Sequence, residues 1–173
     1  MNSYLESIKN RFNSYKKLGE KTFDQISENK LFWQPNEESN SIAIIVKHLH
    51  GNMLSRWTDF LTSDGEKEWR KRDDEFVGDI KTKDELLNIW EEGWDCLYNA
   101  INQLTEDDLE KKILIRNEPH TVVDAINRQL SHYAYHIGQI VFIGKMIKNT
   151  EWNSLSIPKG NSNEYNNEKF SKK

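Results

Sequence analysis

The stretch Gln129-Leu-Ser-His132-Tyr-Ala-Tyr-His136-Ile-Gly-Gln-Ile140 lies in a long apolar segment with the period of a helix. Two histidines four residues apart on a helix differ in direction by about 40°, so His132 and His136 project side by side. The apolar residues around them predict that this face is turned toward the protein interior. Such a pair supplies two ligands of a metal site that needs a third. The other interpretation is a pair of packed histidines whose nitrogens are satisfied by hydroxyl or carbonyl groups.

The composition predicts one globular domain with a sizeable core. The chain has 173 residues, and its six Trp, six Tyr and seven Phe supply large apolar areas. Its net charge of −4, with acidic and basic residues mixed along the chain, argues against nucleic-acid binding.

The sequence also predicts a cytoplasmic protein that does not bind membranes. No apolar signal region follows Met1, and no apolar run reaches the length of a membrane span. The single cysteine, Cys96, excludes an intramolecular disulfide, as is usual in a reducing compartment. Because Cys96 falls within a predicted amphipathic helix, we interpret it as a packed thiol.

Four long segments have helical periodicity and suitable N-terminal capping residues. These predicted helices run from Ser3 to about Ile26, from Ile42 to Leu61, from Thr82 to about Leu104, and from Thr121 to about Lys148. We therefore expect an all-α fold, an up-down four-helix bundle spanning residues 1–160. Residues 161–173 are polar and are expected to form a flexible tail.

The segments between the helices differ in character. Residues 63–79 are charged and lack helical periodicity, so they predict a long connection between helices two and three, anchored by Trp69 and Phe76. A short strand is expected at residues 111–116. His120 follows Pro119 and is expected on a surface loop.

The second predicted helix offers two candidates for the third metal ligand. His48 shares a face with Asn52 and Asp59, opposite an apolar stripe. His50 points about 160° away from His48, so the two cannot serve one ion together. The helix geometry alone leaves the choice between them open.

The segment Ser41-Ile-Ala-Ile-Ile-Val-Lys-His48-Leu49, together with His132-x-x-x-His136, resembles the DinB-like superfamily. A branch of that superfamily known only as a domain of unknown function is similar over nearly the whole chain. The similarity includes Val46-Lys-His48-Leu-x-Gly51-Asn52-Met-x-Ser55-Arg56-Trp57-Thr-Asp59, Asp64-Gly-Glu-Lys67 and Ser156-Ile-Pro-Lys-Gly160. The resemblance implies one divalent metal per chain, held by His48, His132 and His136, and its His-Leu context favours His48 over His50. It also implies a homodimer.

Three neutral imidazoles suit Zn²⁺ or Ni²⁺ and leave coordination positions for water or substrate. The resemblance implies a metal-binding protein whose reaction is S-transfer from a small-molecule thiol of the bacillithiol type. A metal-dependent hydrolase and a non-catalytic metal-binding dimer are the alternatives, so whether the chain is an enzyme stays open. Five polar residues near the histidines are candidates for binding the thiol or another small substrate: Asn52, Asp59, Arg128, Gln129 and Gln139. Arg128 and Asp59 could instead form an interhelical ion pair.

Overall fold

The computed structural model describes residues 3–171, and this part of the chain is mostly helical. The four long helices are α1 (Tyr4–Phe23), α3 (Ile42–Trp57), α4 (Lys83–Asn102) and α5 (Val122–Lys148). Two shorter helices are α2 (Glu28–Leu31) and α6 (Ser162–Phe170), and the two strands are β1 (Lys112–Ile115) and β2 (Glu118–Thr121). Single 3-10 turns occur at Asp73–Phe76, Glu106–Asp108 and Asn149–Glu151.

Side-chain hydroxyls begin all four long helices, as the sequence predicts. Ser3, Ser41, Thr82 and Thr121 each accept a hydrogen bond from the backbone N–H three residues later. At the start of α4 the bond is reciprocated, because the Glu85 carboxylate accepts from the Thr82 backbone N–H. These caps satisfy free amides and fix where each helix begins.

Helix α3 ends at Trp57, four residues earlier than the sequence predicts. Thr58 takes an extended conformation, and Asp59 has a φ of 50°, in the left-handed region. Short polar side chains tolerate this region better than most residues. Asp59 therefore leaves the helix face that it was expected to share with His48.

An aromatic cluster fills the core between the four long helices. Phe12 of α1 contacts Tyr133 of α5 with ring centroids 5.8 Å apart, and Trp94 of α4 lies 6.0 Å from the same tyrosine ring. Trp57 of α3 donates its indole N–H to the Tyr133 hydroxyl at 2.9 Å. Helix α3 packs along α4, and α1 packs along α5. The large buried rings fix how α3 and α5 approach each other.

Strands β1 and β2 form an antiparallel hairpin that the sequence predicts only in part. Arg116 and Asn117 both have positive φ, 55° and 62°, which is typical of a two-residue hairpin turn. The expected strand at residues 111–116 is confirmed, but β2 was missed because Pro119 suggested a loop. His120 pairs with Ile113 across the hairpin, so its placement on a surface loop was wrong.

The connection between α3 and α4 is tied to the hairpin and to α3. The Asp64 carboxylate accepts hydrogen bonds from the backbone N–H groups of Arg116 and Asn117 at 2.8 and 2.7 Å. Phe76 stacks on the His48 ring at 4.9 Å, so it is an anchor as expected. Trp69 is 56% exposed and is not an anchor. The connection thereby covers the side of α3 that carries His48.

Residues 162–170 form helix α6, whose side chains are all exposed. This segment is thus helical where the sequence predicts a flexible tail, and its mobility stays a prediction. Among residues 3–171, no helix combines the length and apolar character that a membrane span requires.

Candidate metal site

Three histidines from two helices meet at one point between α3 and α5. His132 Nε2 lies 3.2 Å from His48 Nε2 and 3.1 Å from His136 Nε2. All three ligand atoms lie within 4.8 Å of one another, a grouping that could hold a metal ion. The i, i+4 spacing on α5 places His132 and His136 on one face, and packing of α3 against α5 brings His48 to them.

Burial keeps the two α5 histidines neutral. Removal from water is the largest cause that lowers the pKa of His132 to about 3 and of His136 to about 4. The neighbouring histidines lower both pKa values further, and the charges of Arg70 and Arg56 also lower that of His132. A neutral imidazole is the form that binds a metal, so His132 and His136 are available as ligands at neutral pH.

Partners on the far side of two rings decide which nitrogen carries the proton. His48 Nδ1 lies 2.8 Å from the Glu75 carboxylate, which only accepts, so Nδ1 donates. His136 Nδ1 lies 2.8 Å from Gln139 Oε1 and likewise donates. In their neutral forms, both rings therefore turn an unprotonated Nε2 toward His132.

Arg70 holds Glu75 in place through two hydrogen bonds. Its Nε lies 2.7 Å from Oε1 of the carboxylate and its Nη2 lies 2.9 Å from Oε2. Burial opposes ionisation of Glu75, yet the hydrogen bonds from His48 and Arg70 leave its pKa below the usual value. Glu75 is buried and charged, and it fixes the ring of His48 from behind.

The hydrogen-bond roles around the three Nε2 atoms favour a cation. His132 Nε2 faces two unprotonated nitrogens and can donate a hydrogen bond to at most one of them. At least one contact then brings two lone pairs together, and a bound cation removes that conflict. Two ligand nitrogens at roughly 2.0–2.1 Å from a tetrahedral ion lie about 3.3 Å apart. This is close to the two separations measured from His132 Nε2, to His48 and to His136. These residues fit a divalent metal.

The histidines open into a cavity of about 460 Å³. Four of the five predicted substrate-binding residues line it: Asn52, Arg128, Gln129 and Gln139. Asp59 does not, because it lies beyond the end of α3 and lines a different cavity of about 910 Å³ between α3 and α4. That larger cavity contains none of the three histidines.

Two of these four residues already have hydrogen-bond partners. The Asn52 side-chain oxygen accepts from the Tyr133 hydroxyl at 3.0 Å, which leaves its amide N–H groups for a ligand. Gln139 is engaged with His136. Asn52 and Gln139 therefore contribute to the framework of the site as well as to its wall.

The remaining histidines and the cysteine lie apart from the site. His50 pairs with Glu92 of α4 at 2.9 Å, which separates it from the three converging rings. His120 pairs with Asp124 through Nδ1. Cys96 is half-buried near Thr58, and burial raises its pKa, so it is a packed thiol as predicted.

Sequence reasoning missed Glu75 and Arg70 as parts of the site. Both lie in the connection between α3 and α4, where no periodicity reports which side chains turn inward. One feature of the sequence could have indicated their role: Arg70 lies four and five residues from the acids Glu66 and Glu75, with which it pairs. The segment that carries them is long enough to fold over a site.

The fold and the site together define a mostly helical protein with a three-histidine group that could hold a metal ion. The chain belongs to the family described as "Protein of unknown function (DUF1572)", whose model matches residues 1–161. The match includes all three histidines and the connection that carries Glu75. No curated protein matches the chain.

Proposed function

We propose that this chain binds one divalent metal ion through Nε2 of His48, His132 and His136, with Zn²⁺ or Ni²⁺ as the ion. The observation that carries the proposal is the convergence of the three Nε2 atoms, with the Nδ1 atoms of His48 and His136 engaged by Glu75 and Gln139 on the far side of the rings. We further propose that α1, α3, α4 and α5 form an up-down four-helix bundle of the DinB-like type. The three-histidine arrangement and the connection between α3 and α4 support that assignment.

The proposed reaction is attack of the sulfur of a small-molecule thiol of the bacillithiol type on an electrophile. The S–H bond of the thiol breaks, a bond from sulfur to the electrophile forms, and the proton passes to solvent or to the leaving group of the electrophile. A bound divalent ion supplies Lewis acidity that lowers the pKa of a coordinated thiol. The chain holds the imidazoles of His48 and His136 in the correct tautomer, and its cavity leaves room for substrate beside them.

The lining of the cavity favours S-transfer over hydrolysis. Metal-dependent hydrolases commonly use a carboxylate as the general base for the attacking water. Among the described residues, no Asp or Glu lines the 460 Å³ cavity. Glu75 is the nearest acid to the histidines by hydrogen bonding, and it is held by His48 and Arg70. A thiol coordinated to the ion would release its proton to solvent at neutral pH, so it would need no such base.

We also propose that the chain forms a homodimer through an exposed apolar stripe on α5. Tyr135, Phe142 and Met146 share one side of this helix and are exposed despite their size. Tyr135 also borders the cavity, so a second copy on this stripe would lie beside its mouth. Sedimentation of the wild type as a dimer, and of Phe142→Lys as a monomer, would support this interface; a monomeric wild type would refute it.

The metal assignment is tested by the metal content of purified protein after dialysis against a small excess of Zn²⁺ or Ni²⁺. The wild type is expected to retain about one ion per chain. His132→Ala is expected to lose it, whereas His50→Ala, which changes a histidine of α3 outside the site, is expected to retain it. Full occupancy in His132→Ala would refute the ligand set.

The reaction is tested by following thiol consumption with a model electrophile and metal-loaded protein. S-transfer predicts consumption above the background of His48→Ala. Ester hydrolysis without thiol consumption would support the hydrolase, and neither activity would support a metal-binding protein without turnover.

A further inference from the structure

The wall of the metal-site cavity is cationic in a chain whose net charge is −4. Among the described residues, its lining contains no Asp or Glu. Five of the lining residues are arginines: Arg56, Arg70, Arg72, Arg116 and Arg128. A cleft lined by one sign of charge concentrates ligands of the opposite sign.

Two of these arginines are neutralised within the protein. Arg70 pairs with Glu75, and Arg116 lies 3.3 Å from Glu66. Within residues 3–171, the other three arginines form no ion pair at salt-bridge distance. Arg72 lies over the Phe76 ring at 5.1 Å, and Arg128 is exposed. The cavity therefore keeps unbalanced positive charge whether or not a metal is bound.

Arg56 is the most unusual of these residues, because it is only 4% exposed. Its Nε and Nη1 atoms are buried and lack a hydrogen-bond partner in the described structure. A guanidinium cannot lose its proton under ordinary conditions, so its burial without a partner costs free energy. Buried charges in proteins are normally paired, so an unpaired guanidinium in a cavity wall is a candidate for binding an anion.

Gln129 provides a second unsatisfied group in the same wall. Gln129 is 2% exposed, and its side-chain Oε1 is buried without a hydrogen-bond partner in the described structure. An amide oxygen accepts a hydrogen bond from a hydroxyl or amine. A ligand that satisfies both residues carries an anionic group and a hydrogen-bond donor.

We propose that this cavity binds a small organic anion, whose carboxylate or phosphate group is held by the Arg56 guanidinium. Arg72 and Arg128 attract it at the mouth, and Gln129 accepts a hydrogen bond from its hydroxyl or amine. The inference rests on the proposed function and names the substrate class of that same site: an anionic thiol or an anionic electrophile. Guanidinium groups bind such planar or tetrahedral oxyanions through paired N–H donors, and the cavity volume is within the range for small-molecule sites.

The test follows the arginine Nε–H signals of ¹⁵N-labelled protein by NMR during titration with an anion. Succinate and inorganic phosphate are the two probes, which separate the carboxylate from the phosphate, and sodium chloride at matched ionic strength is the control. Arg56 is expected to show a saturable shift with at least one probe and none with chloride. Equal shifts with chloride, or no shift with either probe, would overturn the proposal.

Three variants assign the site. Arg56→Met is expected to lower probe affinity about tenfold or more, since charge-assisted hydrogen bonds are lost. It removes a buried unpaired charge and is expected to fold. Arg128→Gln alters an exposed residue and is expected to weaken binding by a smaller factor, while Arg11→Gln, exposed on α1, is expected to leave it unchanged. If Arg56→Met binds the probe as tightly as the wild type, the proposal is overturned. If Arg56→Met does not fold, wild-type affinity in Arg128→Gln overturns it instead.

Titrations of metal-free and metal-loaded protein separate this inference from the metal assignment. Anion binding at Arg56 in metal-free protein would stand even if no ion were found at the histidines. In the contrary outcome, the anion binds only in metal-loaded protein, loses its binding in His132→Ala and keeps it in Arg56→Met. That result would show that the anion binds the metal ion, and it would overturn the arginine site.

Discussion

Glu75 accepts a hydrogen bond from His48 Nδ1 at 2.8 Å, although 27 positions of sequence separate the two residues. This contact links the connection between α3 and α4 to the proposed metal site. It fixes the tautomer of His48, and Arg70 fixes Glu75 in turn. The proposed metal affinity therefore depends on a residue that is not itself a proposed ligand.

Substitution of Glu75 by Gln is expected to lower metal affinity about 10- to 100-fold, as loss of a hydrogen-bond partner of a ligating histidine typically does. The variant removes the charge that stabilises the Nδ1–H donor of His48. Competition with a chromophoric chelator measures the change. Glu92→Gln is the matched control, because it alters the His50–Glu92 pair outside the site, and it should bind metal like the wild type. Equal affinities in the two variants would show that Glu75 has no such role.

A pair of helix glycines gives a second test of the same contact. A Cβ at Gly51 would lie 2.7 Å from Glu75 Cδ, and Glu75 cannot move away without leaving His48 or Arg70. Gly51→Ala is expected to weaken metal binding and lower the unfolding temperature.

Gly138 of α5 provides the comparison for Gly51, because a Cβ there would meet nothing within 4 Å. Gly138→Ala is expected to stabilise the protein by about 0.5–1 kcal/mol through helix propensity. Chemical denaturation and chelator competition on both variants check these outcomes. An equally stable Gly51→Ala with unchanged metal affinity would contradict the packing described for Glu75.

The Tyr133 hydroxyl connects α3 and α5 beneath the site. It accepts from Trp57 Nε1 at 2.9 Å and donates to Asn52 Oδ1 at 3.0 Å. Tyr133→Phe leaves both buried groups without this partner, so it should lower the free energy of unfolding by about 1–3 kcal/mol. Urea denaturation measures the loss. A change near zero would mean that the two groups find other partners.

The stability of the metal-free protein should fall in acid. The pKa values of folded His132 and His136 are lowered to about 3 and about 4, from a usual value of 6.5. Between these limits the unfolded chain binds more protons than the folded chain, so the free energy of unfolding decreases as the pH falls from 6.5 toward 4. Denaturation of the wild type and of a His132→Ala/His136→Ala variant at several pH values isolates this effect. The double variant should lose less stability over that window, and an equal loss would contradict the lowered pKa values.

Local pattern was enough to predict the helices and the histidine pair. The capping residues Ser3, Ser41, Thr82 and Thr121 and the helical period place the four long helices, and the spacing of His132 and His136 follows from one helical turn. These features depend on residues close together in sequence, which is why the sequence alone contains them.

The rest of the candidate site depends on contacts between distant segments. The choice of His48 over His50 required the resemblance to other proteins, because helix geometry permitted either. Glu75 reaches His48 only through the path of a segment without periodicity, and Asp59 was misplaced because α3 ends at Trp57. The unpaired burial of Arg56 likewise emerges only when the helices and the connection are packed together.

We propose above all that three imidazoles from α3 and α5 hold one divalent ion. Crystals of protein loaded with Zn²⁺ or Ni²⁺, with diffraction recorded on both sides of the metal absorption edge, test it most directly. We predict one anomalous peak per chain, bonded to Nε2 of His48, His132 and His136. A peak bonded to other residues, or no peak between these three rings in fully loaded crystals, would contradict it.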